Sequence, residues 1–197
     1  MRRTTIVGMM PAVPAYAARL RMPFAVLGVI TDGRAVTRLA YLPLDEHAQA
    51  PVDAVAEQAT RELERYLADP EYRFTVPLAP GGTPFQQRVW QALAAIAPGQ
   101  SRTYGEVAGM VRSAPRAVGQ ACGANRIALI IPCHRVVGAF GALGGFMGTA
   151  GPPPGDRRVG VERRTALRWQ QPATAGDGAP IDIKRWLLRH EGYRFGE

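Results

Sequence analysis

Thr103-Tyr-Gly-Glu-Val-Ala-Gly-Met-Val-Arg-Ser-Ala-Pro-Arg-Ala-Val-Gly119 places two helix starts in quick succession. Thr103 and Glu106 have the spacing of a capping box, in which each side chain satisfies the other residue's backbone N–H. The pattern predicts a short helix through Val111. Ser113-Ala114-Pro115 predicts a second start, because proline is pre-set for a first helical turn, and that helix runs to about Gly123. Two short helices joined by a tight turn have the form of a helix-turn-helix. An ordinary small helical subdomain fits the same pattern equally well. The second helix is rich in small residues: Ala114, Ala117, Gly119, Ala121, Gly123 and Ala124. Its backbone can therefore come close to a DNA backbone or to a neighbouring helix, with Arg116 projecting from the first turn.

The helical period continues on both sides. Upstream, Thr83-Pro84-Phe85-Gln86 is another capping box, and Phe85, Val89, Leu93 and Ile96 make one apolar stripe that Pro98-Gly99 ends. Downstream, the apolar run Ile127 to Ile131 leads into Pro132-Cys133-His134-Arg135-Val136-Val137, then a glycine-rich loop from Gly138 to Gly148. Residues 149–180 are punctuated by glycine and proline at both ends around a basic middle (Arg157, Arg158, Arg163, Arg164, Arg168), and read as a surface insert. In the last predicted helix Ile183, Trp186, Leu187 and His190 share a face, Glu191 sits at the end and Gly192 terminates it.

The first 80 residues read differently. Phe24 to Ile30 is a predicted buried strand, Asp32-Gly33 a hairpin turn, and Val36 to Leu42 the returning strand. Pro51 and Asp53 open a helix with Val52, Val55, Ala59, Leu63, Tyr66 and Leu67 at helical spacing, stopped by Asp69-Pro70. A further short strand is predicted from Arg73 to Leu78. At the N-terminus, Arg2 and Arg3 precede a mildly apolar stretch, but Pro11 and Pro14 interrupt it, so it reads as a strand rather than a targeting segment. Nothing in this unit signals chemistry.

The predicted fold class is α+β. A small N-terminal antiparallel-sheet α/β domain (residues 1–80) is followed, after a Pro- and Gly-rich linker, by a mostly helical helix-turn-helix domain, winged-helix-like, over residues 84–197 with the insert at 149–180. The chain has 197 residues, 47% hydrophobic and 20% charged, a globular rather than a disordered composition. No apolar stretch approaches a membrane span. Two cysteines are too few for a disulfide framework and lack zinc spacing, so no metal and a reducing, cytoplasmic setting are expected. Residues 1–83 carry 9 Lys+Arg and 9 Asp+Glu, while residues 84–197 carry 15 and 7, so the net charge of +8 lies in the second half. A basic half joined to a neutral one points to a polyanionic partner. An arginine-rich surface from biased composition is the competing explanation.

Cys133 follows a buried apolar run and a proline, and precedes a histidine. Proline fixes the approach of the thiol, and a neighbouring imidazole can take its proton, directly or through water, to give the nucleophilic thiolate. A buried inert cysteine is the bland alternative, and a Cys-His pair alone does not exclude it.

The motif Ile131-Pro-Cys-His-Arg-Val136 resembles the active-site signature of the O6-alkylguanine-DNA alkyltransferases. Phe85-Gln-Gln-Arg-Val-Trp90 with Leu93, Thr103-Tyr-Gly-Glu-Val-Ala108, Arg116-Ala-Val-Gly119, Asn125 and the stretch from Lys184 through Trp186-Leu-Leu to His190-Glu-Gly192 resemble the family's other motifs, in its order. The resemblance covers residues 84–148 and 181–195; the first 80 residues match only in general build. It implies that Cys133 accepts the alkyl group, that His134 acts as base through a water with Glu191 orienting it, and that Tyr104 donates to the departing guanine. It implies that Asn125 holds the turn presenting the site and that Arg116 replaces the flipped nucleotide in the base stack. Tyr104, Ala117, Gly119 and Arg135 would be further DNA contacts, and Phe146, Met147 and Val136 would line the substrate pocket. The implied partner is double-stranded DNA carrying O6-alkylguanine, or O4-alkylthymine, acted on by a monomer without cofactor, each molecule once.

The sequence departs from the family at Asn125-Arg126-Ile127-Ala128, where an Asn-Pro with a further proline is usual. It departs again at Gly145-Phe146-Met147-Gly148, where a hydroxyl-bearing residue is common, and in the insert. A Cys-His hydrolase would need an oxyanion hole and many turnovers. A non-catalytic alkylated-DNA binding protein is the alternative reading, but such relatives lack the cysteine that Cys133 supplies.

Overall fold

The computed structural model describes residues 16–148 and 180–193. The predicted N-terminal strand and nearly all of the predicted insert lie outside these residues. Strands β1 (Ala18–Arg21), β2 (Val26–Thr31) and β3 (Val36–Leu42) form an antiparallel sheet in that order, with a bulge between Ile30 and Thr31. Helix α1 (Ala54–Ala68) follows. Asp53 caps it by accepting from the Ala56 N–H, and is itself held by the Thr31 hydroxyl at 2.6 Å. Val52 is 71% exposed and precedes the helix, so it is not part of the apolar face it was assigned to.

Helix α2 (Pro84–Ala94) starts with the predicted capping box, and so does α3 (Tyr104–Met110), after the two-residue strand β4 (Arg102–Thr103). Helix α4 (Pro115–Gly123) begins at its proline without a side-chain cap. A single 3-10 turn, Cys133–Arg135, leads into β5 (Val136–Val137), which pairs in parallel with β4, and α5 (Pro180–His190) completes the described chain. The fold is α+β, a small antiparallel sheet with its helix followed by a mostly helical part containing the helix-turn-helix.

No strand forms over Arg73–Leu78. The reason is Glu62, whose buried carboxylate accepts from the Thr75 and Val76 N–H groups at 2.8 and 3.1 Å. Those donors are thereby withdrawn from any ladder, and only Leu78 bridges to Val36. One continuous core joins the two halves of the chain, since Val29, Tyr41 and Leu63 belong to the same buried cluster as Ile127, Phe146 and Leu187. The free edge of β3 also reaches the active-site approach: the Leu39 N–H donates to the Arg126 carbonyl at 2.9 Å, and the Tyr41 hydroxyl to the Ala128 carbonyl at 3.2 Å.

Candidate active site

The segment carrying Cys133 is shaped before it arrives. Asn125 bridges its base: the side-chain oxygen accepts from the Ile127 N–H at 3.0 Å and the amide donates to the Ile131 carbonyl at 2.9 Å. This clasp closes a turn that has no proline between Asn125 and Ile131. It holds Leu129 in the left-handed region, at φ 89°, a strained conformation for a branched side chain kept by its burial. Pro132 then turns the chain into the 3-10 turn, and Cys133 heads it at 3% exposure.

Burial pushes the Cys133 thiol up from its usual value, opposed by a hydrogen bond from Asn125 and the positive charge of Lys184. The thiol therefore rests protonated and needs a base at hand. His134 is fully buried, and Nε2 lies 2.9 Å from Glu191 Oε1. Burial alone would raise the Glu191 carboxyl, but the bonds from His134 and Arg135 outweigh it and hold it at about 2. An ionised carboxylate only accepts, so Nε2 must carry the imidazole proton and Nδ1 is left with its lone pair. Nδ1 is buried and has no hydrogen-bond partner among the described residues. Burial also lowers the His134 imidazole, with Glu191 pulling the other way, so the ring is poised as a neutral base.

Glu191 owes its place to the end of α5. The Gly192 N–H donates to the Arg189 carbonyl and the Tyr193 N–H to that of Leu188, with Gly192 at φ 78°. This Schellman arrangement requires a left-handed residue directly after Glu191, which glycine supplies at little cost.

Arg135, expected at the DNA, turns inward in the structure. It is 8% exposed; Nε and Nη2 donate to the two Glu191 oxygens, each at 2.8 Å, and Nη1 reaches the Ile96 carbonyl. The fork ties Arg135 to Glu191 and so braces the carboxylate. The Val136 side chain is fully buried in the core, and its carbonyl holds Lys184. Phe146 is 3% exposed and packs edge-on to Tyr41. Met147 is the one of the three that stays half-buried, at φ 50°.

Tyr104 sits at the start of α3, half-buried, its hydroxyl donating to the Gly145 carbonyl at 3.3 Å. Burial drives its phenol well above the usual range, so it stays protonated. Gly144, at φ 69°, passes so close that an added Cβ would lie 2.9 Å from the Tyr104 ring. Gly144→Ala is expected to displace the ring, slowing the site's chemistry at least about tenfold if Tyr104 touches the reacting base; an unchanged single-turnover rate would show that the ring is not positioned there. Arg116 projects, exposed, from the first turn of α4, while Ala117 and Gly119 lie half-buried on the same helix. The Trp90 indole donates to the Ala121 carbonyl at 2.9 Å and ties α2 to α4.

Two groups at the site were given no role from the sequence. Lys184 has no exposed surface; its ammonium donates to the Val136 and Gly145 carbonyls at 2.6 and 3.0 Å, and burial lowers it to about 8. Its spacing to Leu187, Leu188 and Glu191 put it on the buried face of α5 and could have revealed it. Tyr66, counted among the apolar residues of α1, places its hydroxyl 2.9 Å from Glu191 Oε1.

The model for the DNA-binding domain of 6-O-methylguanine DNA methyltransferase matches residues 84–193. The methylated-DNA–protein-cysteine methyltransferase of Mycobacterium bovis is 39% identical over 152 residues, covering 74% of this chain and 85% of that protein. The constitutive one of Bacillus subtilis is 46% identical over 106 residues, 53% of this chain and 62% of that protein, so there the match spans less than two thirds of the relative. The structure resembles that of Mycobacterium tuberculosis OGT in complex with DNA, with a TM-score of 0.65, 33% identity and 88% and 90% of the two chains covered. With the family model covering more than half of the chain, and the M. bovis protein matched over most of its length, the chain belongs to the 6-O-methylguanine DNA methyltransferase family.

Proposed function

We propose that this protein repairs O6-alkylguanine in double-stranded DNA by moving the alkyl group onto Cys133, once per molecule. The observation that carries the reading is the buried His134–Glu191 pair, 2.9 Å apart and directly after the buried Cys133, in a chain that also carries a helix-turn-helix. The thiol proton passes to His134 Nδ1, relayed by a water, and Glu191 balances the imidazolium that forms. The sulfur lone pair bonds the alkyl carbon as the carbon–O6 bond breaks. The bonding pair leaves with the guanine, and Tyr104 donates to the purine as negative charge develops on it. The product is a stable thioether, so the reaction needs no cofactor and is not repeated.

A thiol at 3% exposure is out of reach of a base stacked in a duplex, which favours extrusion of the nucleotide. Arg116 fills the gap, while Ala117 and Gly119 let α4 approach the minor groove. Arg116→Ala is expected to slow repair in duplex DNA about 10- to 100-fold, given the few kcal/mol that unstacking a base costs, with little effect on the free alkylated base. Equal slowing of both would show that Arg116 only supports the fold. Met147 borders the alkyl pocket. The protein acts as a monomer in a reducing cytoplasm, which suits its two free cysteines.

The deciding experiment incubates the protein with duplex DNA carrying O6-methylguanine labelled in the methyl group, and with O4-methylthymine in parallel. Label on the peptide containing Cys133, at no more than one per protein, is expected. The alternative, a non-catalytic binder of alkylated DNA, would bind the duplex and take up no label.

A further inference from the structure

We infer that Tyr66, from helix α1 of the N-terminal unit, is a positioning residue for the proton relay: its phenol fixes the Glu191 oxygen that orients His134. The inference rests on the alkyl-transfer reading and extends it to a part of the chain with no chemistry of its own. Tyr66 is 1% exposed, and its hydroxyl donates to Glu191 Oε1 at 2.9 Å. That same oxygen accepts from His134 Nε2 at 2.9 Å and Arg135 Nη2 at 2.8 Å. Three donors thus converge on one carboxylate oxygen, and each comes from a different direction. Arg135 alone forks onto both oxygens and would allow the carboxylate to rock about that axis. The phenol supplies a second line of restraint.

Tyr66 is itself held. The His190 Nε2 lies 2.8 Å from the Tyr66 carbonyl, and the two rings meet edge to face with centroids 5.1 Å apart. Its phenol stays protonated, because burial and the Glu191 charge both push it well above the usual range. It can therefore only donate to the carboxylate, which spreads the negative charge that His134 feels. Other charged or titratable groups also face this cluster: Cys133 and Arg135 from the 3-10 turn, Lys184 and His190 from α5, and Tyr41 from β3.

Removing the phenol hydroxyl leaves Glu191 with more uncompensated charge, which favours the protonated form of His134. Protonated His134 cannot accept the thiol proton, so loss of rate on acidification should begin at higher pH. The test follows alkylation of Cys133 by a free O6-alkylguanine base, read by intact mass, for the full chain between about pH 5 and about pH 9. In Tyr66→Phe the acid limb is expected to move up by about half a unit to one unit. On the part of the limb where His134 is mostly protonated this is a roughly three- to tenfold slower reaction than wild type, and the gap should close at higher pH, where the ring is neutral in both proteins. A fluorinated tyrosine at position 66, the same shape but a stronger donor, should move the limb the other way.

A limb that stays put in Tyr66→Phe and in the fluorinated protein overturns the inference, as does a depression equal at every pH, which a purely structural tyrosine would give. Should Tyr66→Phe not fold by its thermal transition, the fluorinated protein decides alone. If the wild-type protein itself takes up no alkyl group, the alkyl-transfer reading falls first, and the role of Tyr66 falls with it.

Discussion

Cys133→Ala takes up no alkyl group from O6-alkylguanine DNA, while its affinity for the alkylated duplex stays within about threefold of wild type. The first half of this expectation is absolute because the sulfur is the acceptor: without it no bond can form, and the rest of the relay has nothing to deprotonate. The second half follows from where affinity originates. Binding to DNA comes mainly from charges that meet phosphates, and Arg88, Arg102, Arg112, Arg116 and Arg126 remain exposed in the helical part. Cys133→Ser is expected to be equally inactive, since an alcohol is far less acidic than a thiol and a neutral imidazole cannot ionise it before attack. Both variants should fold, because a small buried side chain is exchanged for a smaller one or an isostere, changing stability by about 1 kcal/mol. Gel-shift titration and labelled-methyl transfer measure the two halves separately. Label on Cys122 in the variant would overturn the assignment. Burial pushes that thiol well above its usual range, so it should stay silent.

The helix starts were legible because they are local chemistry. Thr83 with Gln86 and Thr103 with Glu106 form the boxes their spacing implied, and Asp53 and Gly192 act where a cap and a terminator were expected. Strands were less legible. β1 alternates, but over only four residues, and β4 and β5 are two residues each, all too short to carry a reliable period. The strand expected at Arg73–Leu78 was lost to a glutamate from the preceding helix, an outcome no local pattern encodes. Cys133, His134 and Glu191 were found through the resemblance, and only the structure brings His134 and Glu191 within 2.9 Å. The fork of Arg135 onto Glu191 was hidden for the same reason. In a basic half an arginine reads as a phosphate contact, and nothing local reveals that Glu191, far along the chain, folds back onto it. Tyr66 and Lys184 were hidden for the opposite reason. Each falls on the apolar face of its helix, and periodicity reports that a side chain is inside without saying what its polar end meets there.

Glu191→Ala should be the most destabilising single change at the site. It removes the partner of a buried guanidinium, leaves the Tyr66 hydroxyl without an acceptor, and strips His134 of the group that fixes its tautomer. Breaking a buried pair from one side costs about 3–5 kcal/mol. For a chain of this size that corresponds to a fall in Tm of roughly 6–20 °C. Glu191→Gln keeps the shape but turns an NH2 group toward donors, so it should fall between. The pH dependence gives an independent check. The folded carboxyl sits at about 2, below its unfolded value of about 4.3. A depressed carboxyl contributes stability that is complete above the unfolded value and is lost as pH falls toward the folded one. The gap in Tm between wild type and Glu191→Ala should therefore be widest near neutrality and shrink as pH drops from about 5 toward about 2. Equal melting at neutral pH would mean that the fork contributes no net stability. Glu191 would then be kept for the orientation of His134 alone, and Arg135→Met, which removes the charge but fills the space, would be tolerated by the fold while the reaction slowed.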